Sequence, residues 1–411
     1  MFLCSFVFFL YMRWLKLFLL NFVGVLNDNF MKHCIIFVAV GWSMPEWMTQ
    51  SQLIAAVSAA LVLPYLLLSP YSGEIAERYS KQMVVKLMKL LELPIVVVAG
   101  VGFWIESVWM TLLAVLLMGM QSCLYSPAKY GLIRDVEGEK GVSFGSGMFE
   151  MMAFLGILIG TVLAAYMSDN YEWWRVVVVM VALVLVGWRL SAVLGIKELE
   201  SDRQSDTDEI TRNPIKFLIQ SYRFASQHKG LNRAIYGASL LWLLGGLLQM
   251  NVVLHCTRTL EMSNTASSVV LAMAAVGIAI GCSMTGKLIE KRDKRKFIMV
   301  GLIGVAFALS MVLIFKPQGW MLGVMVFLIA FSGGMFQVPC LATVQSADIG
   351  HKLGSMLAFL NLLTFIFVLI GTAVFSVITA LSNQNSYVVF VVMLIITILS
   401  AVVFVERGER K

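Results

Sequence analysis

Apolar runs of about 20 residues recur from one end of this chain to the other, with only short polar breaks between them. As a helix, such a run rises about 30 Å, the thickness of the hydrocarbon layer of a bilayer. The composition agrees: 59% of the residues are hydrophobic and 13% charged, whereas soluble domains carry about 25% charged residues. Hydrocarbon offers no water to satisfy backbone groups, so every span must close its own hydrogen bonds. Helices do this and open sheets do not. The expected fold class is an all-α membrane protein.

Turn signals and charges place twelve helices near 13–42, 51–72, 83–103, 107–130, 143–167, 172–196, 231–256, 264–288, 296–315, 319–342, 350–379 and 385–405. An even count puts both termini on one side. One set of loops carries Arg78, Lys81, Arg134, Lys140, the stretches 197–233 and 287–296, Lys352 and the tail 407–411; the other has only Arg175, Arg258 and Lys316. Basic loops stay in the cytoplasm, so both termini are expected there. The net charge of +7 is accounted for by this orientation, and no nucleic-acid partner follows from it.

Residues 197–230 hold the longest hydrophilic stretch. Its second part has apolar residues at helical spacing beside Lys216, Arg223 and Lys229, the pattern of a helix lying in the membrane interface. This linker divides the chain into a six-helix bundle at 1–196 and another at 231–411. Residues 1–11 lack a signal-peptide pattern and are expected to be an extension outside the fold, with Met12 a second candidate start. GEIAERYSKQMVV at 73–85 and GKLIEKRDKRKFI at 286–298 follow the second helix of each half with glycine, acidic and basic residues in matching order. These two loops, through Gly73, Glu77, Arg78, Gly286 and Arg292, are read as conformational switches. Two ordinary basic loops would look similar.

An ionisable group inside a span costs several kcal/mol unless it is paired or hydrated, so each is a functional candidate. Asp28 and Lys32 lie four apart in the first helix, on one face, where they can neutralise each other. Lys129 sits in YSPAKYG, where Pro127 and Gly131 interrupt the end of the fourth helix; a snorkelling lysine is the plainer reading. Glu150 follows the glycine-rich FGSGM and needs a partner, for which Lys129 and Lys32 are the obvious choices. The second half offers only Gln249, Asn251, Gln337 and Asn361, amides that can equally cross-link helices. A cavity charged on one wall and apolar on the other suits an amphiphile better than a sugar. GGLL at 245–248, GIAIG at 277–281 and SGGM at 332–335 read as packing surfaces. The six cysteines form no C-x-x-C pair, and the four histidines are dispersed. No nucleotide-binding or catalytic-triad signature is present, and neither an enzyme activity, a cofactor nor a metal site is expected.

NFVGVLNDNFMK at 21–32, YSPAKYGLI at 125–133, GMFEMMAFLG at 147–156, AVGIAIG at 275–281 and GGMFQVPCLATVQ at 333–345 together resemble, in order, the bacterial lysophospholipid transporters, a branch of the major facilitator superfamily. The resemblance implies a flippase in the bacterial inner membrane that carries lysophospholipids from the outer to the inner leaflet for a cytoplasmic acyltransferase. It makes Asp28, Asn29, Lys129 and Glu150 the polar group that handles the head group or switches conformation. One departure is Gln249, where relatives can have an arginine. Two other functions fit the same fold: a proton-coupled exporter of hydrophobic drugs, and a non-transporting membrane partner of an acyltransferase.

Overall fold

The computed structural model describes residues 2–42, 48–198, 211–289 and 293–405. Among the described residues there are thirteen α-helices and no strand: α1 (Phe2–Val38), α2 (Gln50–Arg78), α3 (Lys81–Trp104), α4 (Val108–Glu137), α5 (Val142–Asp169), α6 (Trp173–Ala192), α7 (Pro214–Gln227), α8 (Leu231–Leu254), α9 (Asn264–Ile289), α10 (Lys294–Phe315), α11 (Gly319–Gln345), α12 (Leu353–Leu381) and α13 (Ser386–Val405). All but the 14-residue α7 have 20 or more residues. Nine stretches among the described residues are long and apolar enough to cross a membrane. This is a multi-pass membrane protein.

Local signals set many of the boundaries. Thr49 and Gln52 form a reciprocal capping box at the start of α2. The Ser107 hydroxyl accepts from the Met110 amide at the start of α4, and Asp293 accepts from the Arg295 amide at the start of α10. Three boundaries differ from expectation, among them the end of α2, which runs on to Arg78 rather than stopping near 72. Residues 2–11, read above as an extension, continue α1 as helix. Helix α4 runs through Pro127 and Gly131 to Glu137 instead of breaking there; one proline removes a single backbone bond, which neighbouring helices can make good. Arg134, read as a loop charge, is therefore buried in the helix, as is the neighbouring Asp135.

Contacts gather the chain into two compact units. Unit 1 comprises 1–141, 155–224 and 347–362; unit 2 comprises 142–154, 225–346 and 363–411. Helices α5 and α12 are thus each shared between the units. In unit 1, α4 packs on α2, α3 and α1, and α6 on α3 and α1. Leu26, Phe30, Ile35, Phe103, Met118 and Met180 lie in the resulting core. In unit 2, α11 packs on α8, α9 and α10, and α13 on α10 and α8. Close contact of α9 with α11 needs glycine, because a Cβ at Gly277 would lie 2.5 Å from the Phe327 carbonyl oxygen. Gly245 and Gly246, expected to be packing residues too, have nothing within 4 Å of their Cβ positions. Large apolar side chains such as Leu67, Val97, Val162 and Ile303 are exposed on the helices, as hydrocarbon solvent allows.

Helix α7 forms within the stretch 197–230. Phe217, Ser221 and Ala225 are buried along one stripe, while Ile215, Ile219 and Tyr222 are exposed along another, beside exposed Lys216 and Arg223.

Candidate functional site

Unit 1 holds a chain of buried polar groups on α1, α3 and α4. Asp28 on α1 accepts through Oδ2 from the Ser122 hydroxyl of α4 at 2.9 Å. Ser122 Oγ also lies 3.1 Å from Gln121 Oε1, the two acceptors sharing its single proton. The Gln121 amide donates to Glu92 Oε1 of α3 at 3.0 Å and to the Met88 carbonyl at 3.1 Å. Glu92 in turn forms an ion pair with Lys89, 2.5 Å away and one turn earlier on the same helix. Lys89 and Glu92 are only 1% and 3% exposed, so each charge depends on the other for its tolerance in the bilayer.

Tyr125 lies between two cations. Its ring centroid is 5.3 Å from Lys89 Nζ and 5.0 Å from Lys129 Nζ, and Lys129 also stands 5.5 Å from the Tyr130 ring. Lys89, Lys129 and Lys32 all act electrostatically on Asp28, Lys89 most strongly. Asp28 Oδ1 is buried and accepts no hydrogen bond among the described residues. Gly24 leaves room for the cluster: a Cβ there would meet Lys89 Nζ at 2.7 Å.

The expected direct pair of Asp28 with Lys32 does not form. Lys32 donates instead to Asn29 Oδ1 at 3.2 Å, while the Asn29 amide is held by the Val25 carbonyl at 2.9 Å. Spacing of four puts two side chains within reach, but Ser122 on α4 takes the carboxylate. Lys129 is buried rather than snorkelling. Asn361 joins the site through α12, donating to Ser126 Oγ at 2.9 Å. Glu150 is buried on the part of α5 that belongs to unit 2. Gln249 is exposed on α8, Asn251 is buried and donates to the Ser386 carbonyl at 3.1 Å, and Gln337 is buried on α11. Sequence reading passed over Lys89 and Glu92, although KLMKLLEL at 86–93 carried the signal: opposite charges three apart in an apolar run.

The residues read as switch loops lie in helix ends. Gly73, Glu77 and Arg78 are in the last turns of α2, and Gly286 is in the last turn of α9; Arg292 lies outside the described residues. Gly73 permits a close crossing, since its Cβ would lie 3.1 Å from Ser355 Cα. One turn on, Glu77 Oε1 accepts from the Ser355 amide at 3.0 Å, a free donor in the first turn of α12 where a negative charge is favoured. Arg78 pairs with Glu74 at 3.2 Å. Nearby, Lys81 and Asp135 form a buried ion pair at 2.9 Å, and Arg134 donates to the Ala347 carbonyl at 3.1 Å.

Past α6, Glu198 braces the start of α3. Its carboxylate accepts from the Ser80 hydroxyl at 2.5 Å and from the Lys81 and Gln82 amides at 2.9 and 3.0 Å. Partial burial would raise its pKa, but the bonds from Ser80, Gln82 and Lys81 outweigh that and hold it below the ordinary 4.5. A depressed folded value means that the brace contributes fully above about pH 4.5 and is lost as pH falls through the lower folded value. Glu198→Ala is therefore expected to lower stability by about 1 kcal/mol at neutral pH, the ordinary worth of a helix cap. In thermal unfolding in detergent, the gap between wild type and variant should close on acidification; a gap that widens on acidification contradicts the assignment.

A helical membrane transporter is the class that these spans and buried charges define. The chain belongs to the Major Facilitator Superfamily, whose sequence model matches residues 1–372. Among curated proteins it is similar to the lysophospholipid transporter LplT of Photorhabdus laumondii subsp. laumondii, 28% identical over 331 residues, 80% of this chain and 78% of that protein. The lysophospholipid transporter LplT of Shigella sonnei is 27% identical over 330 residues, 79% of this chain and 78% of that one. Among solved structures, the human organic anion transporter MFSD10 superimposes with a TM-score of 0.75 at 14% identity, over 95% of this chain and 99% of that one. A structure of the Escherichia coli fucose:proton symporter FucP gives 0.72 at 14% identity, over 97% and 99%. At that identity the likeness concerns the fold alone.

Proposed function

We propose that this protein is a lysophospholipid transporter of the bacterial inner membrane, moving its cargo from the outer to the inner leaflet by alternating access between two six-helix halves, 1–196 and 231–411, with both termini cytoplasmic. The observation that carries the reading is the buried polar chain from Asp28 to Glu92, with Lys32, Lys89 and Lys129 within electrostatic reach of Asp28. Charged groups persist in hydrocarbon where they meet a polar cargo or one another, and a lysophospholipid needs such a patch for its head group and apolar helices for its single chain. The similarity to proteins named lysophospholipid transporters supports this choice of cargo. Asp28, Asn29, Lys32, Lys129, Glu150 and Gln249 are the proposed substrate or coupling residues, and the helix ends at Gly73, Glu77, Arg78, Gly286 and Arg292 the switch. A cytoplasmic acyltransferase would take the delivered lipid.

The test is uptake of labelled lysophosphatidylethanolamine into spheroplasts. Asp28→Asn and Glu150→Gln are each expected to slow uptake about tenfold or more, equivalent to about 1.4 kcal/mol. Wild-type rates in both variants would remove these residues from the site. A second reading, proton-coupled export, draws on the free Oδ1 of Asp28; a deletion strain with raised drug susceptibility and normal lysolipid uptake would favour it.

A further inference from the structure

A second polar site lies in unit 2, at the far ends of α8 and α12 from the linker. A cavity of about 840 Å³ is lined there by Leu254, Arg258, Phe375, Ser376, Thr379, Ala380, Asn383 and Gln384. That size is within the roughly 300–1,000 Å³ of small-molecule sites. The spacing is regular: 376, 379, 380 and 383 share one face of α12 and its end, and 254 and 258 lie one turn apart across from them. Arg258 sits in a π-helical turn, His255–Thr259, that extends α8, a distortion frequent at functional sites. It is exposed, and among the described residues it has no hydrogen bond or ion pair. Opposite it, the Ser376 and Thr379 hydroxyls donate back to the Thr372 and Phe375 carbonyls at 2.9 and 2.8 Å, which leaves their oxygens to accept. The rim is formed by Asn383 and Gln384, both held at positive φ, 51° and 62°.

We infer that this cavity is a loading site for a phospholipid with one acyl chain. The guanidinium takes the phosphate through paired donors, the hydroxyl and amide oxygens accept from a small head group carrying N–H or O–H, and Leu254, Phe375 and Ala380 receive the start of the chain. The inference rests on the transport reading and on its orientation, which puts this end of α8 and the α12–α13 turn at the outer face. The site then sits at the level where a lipid bound inward would first be collected.

The experiment is thiol protection in full-length protein in liposomes. Cys34, Cys123, Cys256, Cys282 and Cys340 are buried, so an Ala380→Cys variant adds a reactive thiol whose labelling by an impermeant maleimide is read against the parent. Lysophosphatidylethanolamine is expected to slow that labelling about tenfold, while glycerophosphoethanolamine or a monoacylglycerol of the same chain slows it less than about twofold, because each lacks half of the recognised groups. Adding Arg258→Gln removes the protection and Arg258→Lys restores part of it. Absence of protection, equal protection by either fragment, or protection that survives Arg258→Gln overturns the proposal. Binding is read without transport, so the two readings separate: protection with no lipid movement sinks transport and supports the site, and movement without protection does the reverse.

Discussion

Replacing Lys89 with methionine is expected to cost about 3–5 kcal/mol, the range for deleting one partner of a buried ion pair. Lys89 holds Glu92 at 2.5 Å and is the strongest positive influence on Asp28. Without it, Glu92 is a buried carboxylate whose remaining partner is the neutral Gln121 amide, and Asp28 keeps only Lys32 and Lys129 as neighbouring cations. The measurements are folded yield and thermal unfolding in detergent. A Lys89→Met/Glu92→Gln double variant should recover most of the loss, because the remaining amide carries no charge to desolvate. If Lys89→Met alone melts with wild type, the pair is not the support that the geometry makes it. Lysolipid uptake by the recovered double variant then tells whether the pair also serves the cargo.

Gly147→Val is expected to be damaging for a steric reason. Where α5 passes α9, a Cβ on Gly147 would lie 2.5 Å from the Cys282 carbonyl oxygen and 2.8 Å from Gly286 Cα; seen from the other side, a Cβ on Gly286 would lie 2.9 Å from the Ser143 carbonyl oxygen. Both neighbours are backbone and neither can rotate away. Forcing extra atoms into such a contact costs about 1–3 kcal/mol and sometimes more. Gly286→Ala should act in the same direction. Because the two residues share one contact, the double variant should fall short of the sum of the singles. A Gly147→Val protein with normal unfolding and uptake would show that the crossing is not needed.

Much of this fold is legible in one dimension, because the solvent imposes it. Runs of apolar residues near 20 long can only be helices in hydrocarbon, and the amphipathic spacing of α7 stands out from its polar surroundings. The candidate site was legible in part. Asp28 and Lys129 stand out as charges in apolar runs; Asp28 is bonded to Ser122, and Lys129 stands over the Tyr125 ring. Their partners were not readable. Spacing says that Asp28 could reach Lys32, but the hydroxyl that wins comes from a residue 94 positions away. Asn361 and Ser126 are 235 apart, a pairing that no local pattern announces. Arg134 reads as a loop residue because charge is the best marker of a span's end. Burial against the Ala347 carbonyl overrides that marker.

The Lys89–Glu92 pair bears on how α3 enters the bilayer during synthesis. A lone lysine or glutamate near the middle of a helix raises the cost of insertion by about 2.5–3.5 kcal/mol. Here both ends of the ion pair lie on one helix, three residues apart. The segment can neutralise itself while leaving the translocon, before α4 has arrived to offer Gln121. Moving the glutamate to a later helix would preserve the final arrangement on paper but leave α3 to be inserted as a bare cation.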